Sequence, residues 1–240
     1  AIPLQRMRAF QDAGHTGVLI IGDYTTRIGD PSGRSAERPI LAGEEIDRNA
    51  RTYVEQAMLV LDPERTEVRF NGEWLAGLDF ADVLRLTRTT TVSQILERDD
   101  FSKRYAENQP ISVSELLYPL MQAYDSVAVE SDVELGGTDQ LYNLLAGRNV
   151  MEAYGLDPQV VLTTPLLLSW DGAKMSSSVG NNIPMTAAPE EQFGRTMRIP
   201  DEMLGDWWRL VVERPVPEAS PMEAKLALAR LVVARSHGEA

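Results

Sequence analysis

The stretch Val18-Leu19-Ile20-Ile21 decides the fold, because a short run of consecutive apolar residues is typical of a strand buried on both faces. It follows residues 2–13, whose apolar positions have helical spacing and end at Gly14. A helix that leads into such a strand, with a loop rich in glycine and aspartate directly after it, is one step of a parallel α/β sheet. Ligands of such sheets bind beyond the carboxyl ends of the strands, which is where residues 23–34 would lie.

The rest of the chain extends this pattern. A short strand is predicted at 68–70 and a second buried strand at 159–162. From Pro189 onward the pattern is helical only, which predicts a domain boundary near Pro200. We therefore predict an α/β fold, a Rossmann-like parallel sheet flanked by helices, followed by a small all-helical segment. Helices are predicted at residues 45–61, 112–124, 140–154, 190–197, 201–212 and 222–233, with shorter ones between 81 and 105.

Composition excludes several classes of function. The 240 residues have a net charge of −13, which argues against a broad surface for binding nucleic acid. There is no cysteine, and His15 and His237 are far apart in the sequence, so disulfides, thiolate sites and multi-histidine metal sites are excluded and no metal site is predicted. No apolar run has the length of a membrane span and no signal peptide opens the chain, so a cytoplasmic protein is expected.

Three polar clusters that contain glycine lie next to apolar strand or helix patterns, at Gly29–Arg34, Gly136–Gln140 and Asp171–Ser178. Each alone is usually a turn or a solvated loop. Together they predict loops around one ligand cleft. The third cluster is the most plausible binding loop, because Lys174 could neutralise charge on a leaving pyrophosphate.

Several polar residues in and after these clusters have two interpretations. Asp30 is a common kind of turn residue, and Arg34 and Arg38 could clamp a phosphate or simply be solvated. Asp139 could be the N-cap of the helix that follows it, or its carboxylate could accept from ribose hydroxyls. The local sequence supports both interpretations of Asp139 equally.

The helix predicted from Ser112 places three polar side chains on one face, because Tyr118, Gln122 and Asp125 are spaced four and three residues apart. A capping box of Ser112 with Glu115 is predicted to open this helix. Polar positions on a helix usually face solvent. A tyrosine and a glutamine in an otherwise apolar helix favour the wall of a pocket instead.

With these residues in place, the chain closely resembles the catalytic domain of the bacterial tyrosyl-tRNA synthetases, a family of class I aminoacyl-tRNA synthetases. The resemblance covers nearly all 240 residues. It rests on several motifs in the right order, including the counterpart of the family's second signature, usually Lys-Met-Ser-Lys-Ser. The motifs are Gly14-His15, Ile28–Gly33, Tyr118–Asp125, Glu134–Gln140 and Lys174–Ser178.

The resemblance implies a role for each residue of a tyrosine site. Asp30, Tyr118 and Gln122 would hold the α-amino group, and Asp125 would accept from the phenolic hydroxyl. Gln140 would lie near the carboxylate or the α-phosphate. Phenylalanine would be rejected because it leaves Asp125 without its partner.

The resemblance also implies an ATP site and a catalytic loop. Gly137 and Asp139 would contact the ligand and its ribose, and Leu166 and Leu167 would pack near adenine. The triphosphate would be approached by the signature loop together with two arginines. These residues are Lys174, Ser176, Ser177, Ser178, Arg34 and Arg38.

The implied reaction is attack by the tyrosine carboxylate on the α-phosphorus of ATP, followed by transfer of tyrosine to tRNA(Tyr). ATP, with Mg²⁺, would be a co-substrate and not a tightly bound cofactor. Catalysis would come from positioning and from stabilising charge on the phosphates, without a protein nucleophile. The family also implies a homodimer paired through about residues 81–122, inside a catalytic domain at 1–199. Residues 200–240 would begin a helical domain on the anticodon-binding side.

Two departures from the family pattern bear on activity. Ser177 replaces the second lysine of the signature, so one phosphate contact is absent or is made by a hydroxyl. The first signature, His-x-Gly-His, does not occur in the chain. The pattern places it directly before Ala1, and a C-terminal tRNA-binding module is also expected outside these residues. We therefore expect these 240 residues alone to be weakly active or inactive.

Two alternatives remain open from the sequence. One is a tryptophanyl-tRNA synthetase, which shares the architecture, although the polar trio at 118, 122 and 125 favours a substrate with a phenol. The other is a non-catalytic homologue that binds nucleotide or RNA. It would bind tyrosine and ATP without forming an adenylate.

Overall fold

The computed structural model describes residues 2–27, 43–175 and 179–238. Helix α1 (Ile2–Asp12) leads into strand β1 (Gly17–Ile21), as predicted. Between them Gly14 has a φ of +101°, a left-handed conformation that glycine adopts at little cost. Gln11 is buried at the end of α1, where its amide donates to the Arg65 carbonyl at 2.9 Å. This bond joins the helix to the start of the next strand.

That strand, β2 (Thr66–Phe70), runs parallel to β1, with Gly17 opposite Thr66 and Ile21 opposite Phe70. The two carboxyl ends therefore lie side by side. Helix α2 (Gly43–Met58) precedes β2 and ends earlier than predicted, because Leu59 and Val60 already form a turn. The parallel pair with intervening helices confirms the predicted α/β class.

A second pair of strands consists of β3 (Val133–Gly137) and β4 (Val160–Thr164), with helix α8 (Leu141–Ala153) between them in the chain. The prediction of a loop at Gly136 and Gly137 is wrong, because these are the last two residues of β3. The predicted strand at 159–162 is present, but it is not buried throughout, since Val160 exposes 61% of its surface.

Helix α7 (Val113–Val129) is longer than predicted and carries Pro119 in its interior. It begins as predicted after Ser112, whose backbone N–H donates to the Glu115 carboxylate at 2.9 Å. It packs against α8 through buried Leu120, Ala123 and Val150. The shorter helices before α7 are α3 (Gly72–Leu75), α4 (Phe80–Thr87), α5 (Val92–Ile95) and α6 (Asp99–Ala106).

The chain forms two compact units, residues 6–163 and residues 164–240 with 1–5. In the second unit, helices on both sides of Pro200 share one core around Ile199, Trp208 and Leu228. The functional division at 199/200 stays a prediction. From residue 189 onward, the helical elements of this unit are α9 (Pro189–Met197), a 3₁₀ turn (Asp201–Met203), α10 (Leu204–Trp207), a π-helical turn (Trp208–Val212) and α11 (Pro221–His237). Within the described residues, no helix is long and apolar enough to cross a membrane.

Candidate functional site

Asp125 is a buried carboxylate held by two nitrogen donors in the unit of residues 6–163. Only 8% of its surface is exposed. The indole Nε1 of Trp74 donates to Asp125 Oδ1 at 2.8 Å, and Asn71 Nδ2 donates to Oδ2 at 3.4 Å. A carboxylate has about four lone-pair positions, so Asp125 can accept a further hydrogen bond from a ligand hydroxyl.

The carboxyl ends of β1 and β2 place these donors. Asn71 directly follows β2, and its side chain also accepts from the Tyr24 backbone N–H at 3.0 Å. Asp23, just after β1, accepts from the Gly72 backbone N–H at 2.8 Å and so holds the start of α3, on which Trp74 lies. The polar groups therefore meet where the two parallel strands end, as the rule for ligand sites in such sheets requires.

Burial raises the pKa of Asp125 from its ordinary value of 3.8 to about 7. The hydrogen bonds from Trp74 and Asn71 oppose this rise, whereas the nearby carboxyl groups of Glu134 and Asp23 add to it. Burial also raises the pKa of Glu134, which accepts from Ser126 Oγ at 2.6 Å and from Gln159 Nε2 at 2.7 Å. A carboxyl group perturbed in this way, with donors aimed at it, is typical of a functional site.

A cavity of about 340 Å³ opens at the carboxyl end of β1. Pockets for small molecules have volumes of roughly 300–1,000 Å³, so the size suits a ligand such as an amino acid. Its polar wall includes Asp23, which also accepts from the Gly72 backbone N–H at the start of α3, the helix that carries Trp74. The lining residues are Ile20, Ile21, Gly22, Asp23, Thr26, Ile46, Asn49, Ala50 and Tyr53.

The other predicted residues of α7 lie near a cluster of amides. Tyr118 and Gln122 are half-buried on the helix that carries Asp125. Gln122 Nε2 lies 3.4 Å from Gln140 Oε1, so the structure brings these two predicted residues together. Asp139 lies beside Gln140 in a 3₁₀ turn, where its Oδ2 is 3.4 Å from Gln140 Nε2.

The N-cap interpretation of Asp139 is wrong, because Gln140 is the N-cap of α8. The interpretation that its carboxylate accepts from ribose stays a prediction. Gly137, the residue predicted to approach the ligand, precedes this turn as its N-cap.

The loop that carries Lys174 is a narrow hairpin in the second unit, where Leu168 pairs with Lys174 in an antiparallel bridge. Asn181 is buried at its base and donates to the Asp171 carboxylate at 3.0 Å and to the Lys174 carbonyl at 3.2 Å. Leu167 packs against the core of this unit, and Leu166 is half-buried. The contact of both leucines with adenine stays a prediction.

Six of the predicted site residues lie outside the described residues. The prediction that all three polar clusters surround one cleft therefore also stays a prediction. The six are Asp30, Arg34, Arg38, Ser176, Ser177 and Ser178.

Comparison with known protein families shows that residues 1–232 match the sequence model of the family described as tRNA synthetases class I (W and Y). The chain belongs to this synthetase family. Its buried carboxylate, amide cluster and lysine hairpin are thus features of a synthetase fold.

Individual relatives agree with the family assignment. The chain is 53% identical over 252 residues to a tyrosine–tRNA ligase of Thermotoga maritima, which covers 100% of the chain and 63% of the relative. It is 49% identical over 245 residues to a tyrosine–tRNA ligase of Chlorobaculum tepidum, over 98% of the chain and 60% of the relative. The chain therefore spans somewhat less than two thirds of the length of these curated relatives.

The fold resembles the crystal structure of a tyrosyl-tRNA synthetase from Archaeoglobus fulgidus complexed with L-tyrosine. The TM-score is 0.79 at 24% identity, over 98% of this chain and 83% of the other. At this identity the likeness concerns the fold.

Sequence reasoning did not single out Asn71 and Trp74, which contact Asp125, nor Asn143, which contacts Gln122 and Gln140, nor Arg98, which contacts Asn143. Asn71 could have been found, because it directly follows the predicted strand at 68–70 and therefore lies where ligands bind. No comparable signal marks Trp74 or Asn143. Arg98 stands among acidic residues and has the pattern of a solvated turn, yet it is buried.

Proposed function

We propose that this chain is the catalytic part of a tyrosine–tRNA ligase. It activates L-tyrosine with ATP to tyrosyl-adenylate, releases pyrophosphate, and transfers tyrosine to tRNA(Tyr). The names of relatives at 45–53% identity support the choice of amino acid. The chain belongs to a family that includes synthetases for tryptophan, so the choice needs a structural reason as well.

The observation that carries the proposal is the buried carboxylate of Asp125. It shares a helix with Tyr118 and Gln122 and has acceptor capacity beyond the bonds from Trp74 and Asn71. A phenol offers one O–H donor, which an oxygen of the buried Asp125 carboxyl group can accept. Phenylalanine offers none, so binding it would leave a buried carboxylate with an unused acceptor position, which is costly.

The chemistry follows from positioning. Tyr118, Gln122 and Asp30 hold the ammonium group of tyrosine, so that its carboxylate points at the α-phosphorus of ATP. Asp139 accepts from the ribose, and Lys174 stabilises the charge that develops on the departing pyrophosphate. ATP enters with Mg²⁺ as a co-substrate. The bond from the carboxylate oxygen to phosphorus forms as the bond to pyrophosphate breaks, and no protein nucleophile takes part.

The test is exchange of pyrophosphate into ATP, measured with full-length protein and with tyrosine, phenylalanine or tryptophan as the amino acid. Wild-type protein should respond to tyrosine. Asp125→Ala should lower kcat/KM for tyrosine by about tenfold to a hundredfold, the value of a hydrogen bond to a charged group, and should lower it less for phenylalanine. Asp125→Asn keeps the side-chain volume and should also reduce the ratio of kcat/KM for tyrosine to kcat/KM for phenylalanine.

Pyrophosphate exchange that depends on tryptophan and not on tyrosine would assign this chain to the tryptophan-specific branch of the family. Tyrosine and ATP binding without exchange in full-length protein would identify a non-catalytic homologue. Unchanged selectivity in both Asp125 variants would contradict the proposed role of this carboxylate.

We also propose that the protein works in the cytoplasm as a homodimer paired through residues 81–122. Large apolar side chains are exposed in and beside this segment, which favours a contact with another protein surface. Phe80 exposes 77%, Tyr105 67% and Val113 73% of its surface.

A further inference from the structure

Three amide side chains meet on the inner side of α8. Asn143 Nδ2 donates to Gln122 Oε1 at 2.9 Å and to Gln140 Oε1 at 3.0 Å. On its other side, Asn143 Oδ1 accepts from Nη1 of Arg98 at 3.3 Å. Asn143 is buried, with 6% of its surface exposed. A single buried amide therefore connects both glutamines to an arginine.

Arg98 is held firmly enough to act as an anchor. It precedes α6 and exposes only 7% of its surface. Its Nε and Nη2 donate to the two oxygens of Asp100 at 3.0 Å and 3.1 Å, a two-pronged ion pair of defined geometry. The guanidinium also lies over the ring of Phe101, 5.0 Å from its centroid. Its third nitrogen, Nη1, is thereby aimed at Asn143.

The chemistry of these groups gives the network one direction. A guanidinium only donates, so the Asn143 amide must turn its oxygen to Arg98 and its nitrogen to the glutamines. Gln122 and Gln140 must then turn their oxygens to Asn143. Gln140 Nε2 consequently points at the Asp139 carboxylate, 3.4 Å away. Every donation runs from the cation of Arg98 toward the carboxylate of Asp139.

We propose that Arg98 and Asn143 are positioning residues that fix which end of the Gln122 and Gln140 amides faces the substrates. The proposal rests on the proposed function, in which Gln122 receives the ammonium group of tyrosine. An ammonium group only donates, so it needs an amide oxygen. Gln122 Oε1, which accepts from Asn143, keeps a second lone pair for this group. A flipped Gln122 would turn its N–H groups toward the Asn143 donor and lose that acceptor position.

Substitutions at Arg98 can be compared with a matched control on the same segment. Arg98→Met removes the donors and keeps an unbranched side chain of similar length, whereas Arg98→Lys retains a cationic donor. Arg104→Met is the control. Arg104 of α6 makes an equally direct ion pair with Glu115, at 2.5 Å and 3.1 Å, but it bonds to no amide side chain in the described network.

In tyrosine-dependent pyrophosphate exchange by full-length protein, Arg98→Met should raise KM for tyrosine roughly tenfold or more and change kcat less. Arg98→Lys should bring KM for tyrosine most of the way back to the wild-type value. Arg104→Met should leave KM for tyrosine near the wild-type value, even if its melting temperature falls as far as that of Arg98→Met. Asn143→Asp, which replaces the donor by an acceptor, should raise KM for tyrosine as well.

A second readout separates this proposal from the proposed function. Side-chain amide NMR signals of Gln122, Gln140 and Asn143 should shift in Arg98→Met and stay in place in Arg104→Met. If the wild-type protein shows no tyrosine-dependent exchange, the proposed function is wrong. The NMR comparison would still decide the orientation of the amides. Equal KM values in Arg98→Met and Arg104→Met, or unshifted amide signals in Arg98→Met, would overturn the positioning role.

Discussion

A carboxyl group buried beside Glu134 and Asp23 costs folding free energy once it ionises. Because the pKa of Asp125 in the folded protein is about 7, the folded state binds a proton between pH 3.8 and 7 that the unfolded state has lost. The contribution of Asp125 to stability is therefore complete at low pH and declines as the pH rises through this range. The full loss is about 4 kcal/mol, from 1.36 kcal/mol per pH unit.

Asp125→Asn removes this dependence. The free energy of unfolding of the variant, minus that of the wild-type protein, should increase from pH 4 to pH 8 by as much as about 4 kcal/mol. Urea unfolding of both proteins at several pH values measures this difference. The constant cost of placing an amide next to Trp74 and Asn71 does not affect the trend. A difference that stays level over the range would show that Asp125 ionises normally.

The site residues that could be predicted from sequence are those whose chemistry is visible in local spacing. Tyr118, Gln122 and Asp125 share a helix face, and the helix is evident from its apolar residues. Trp74 and Arg98 were not predictable in this way, because their roles depend on partners 51 and 45 residues away in the chain. Only the fold brings such partners together.

At the scale of the elements, α8 presses closely against α7 and the start of β4. A Cβ atom on Gly147 would lie 2.7 Å from Gln159 Nε2 and 2.7 Å from Ser126 Oγ. Both atoms donate to the half-buried Glu134 carboxylate, so moving them would disturb those bonds. Gly147→Ala should therefore destabilise the protein by about 1–2 kcal/mol, since overpacking costs more than the helix propensity of alanine gains.

Gly194 in α9 is the matched control, because a Cβ atom there would meet nothing within 4 Å. Gly194→Ala should stabilise the protein by up to about 1 kcal/mol, the difference in helix propensity between the two residues. Denaturant unfolding monitored by circular dichroism gives both values. Equal effects of the two substitutions would mean that α8 is packed less tightly than the structure indicates.

Helices were easier to predict than strands for a physical reason. A helix satisfies its own backbone, so caps such as Ser112 and apolar spacing are enough to locate it. A strand depends on a partner that the local sequence does not contain. The local sequence therefore indicates a loop at Gly136 and Gly137, although they are the last two residues of β3 and α8 needs the space that glycine leaves at position 136.

At the scale of the whole molecule, the proposed dimer must form despite electrostatic repulsion between its two copies. Each copy carries a net charge of −13, so two copies repel each other over long distances. Apolar contacts are not screened by salt, whereas this repulsion is. The proposed dimer should therefore dissociate more readily at low ionic strength than at high ionic strength.

Val113→Asp tests the interface without disturbing the helix. Val113 is the first residue of α7 and exposes 73% of its surface, and an acidic residue in the first turn is compatible with the helix dipole. Burying a charge at a dimer contact is costly, so the variant should sediment as a monomer at concentrations where the wild-type protein is a dimer.

Met222→Asp is the control, because Met222 is 60% exposed in the first turn of α11, a helix of the same 17-residue length. It should leave the sedimentation coefficient unchanged. If Val113→Asp remains dimeric, or if Met222→Asp dissociates instead, copies of the chain pair through a different surface.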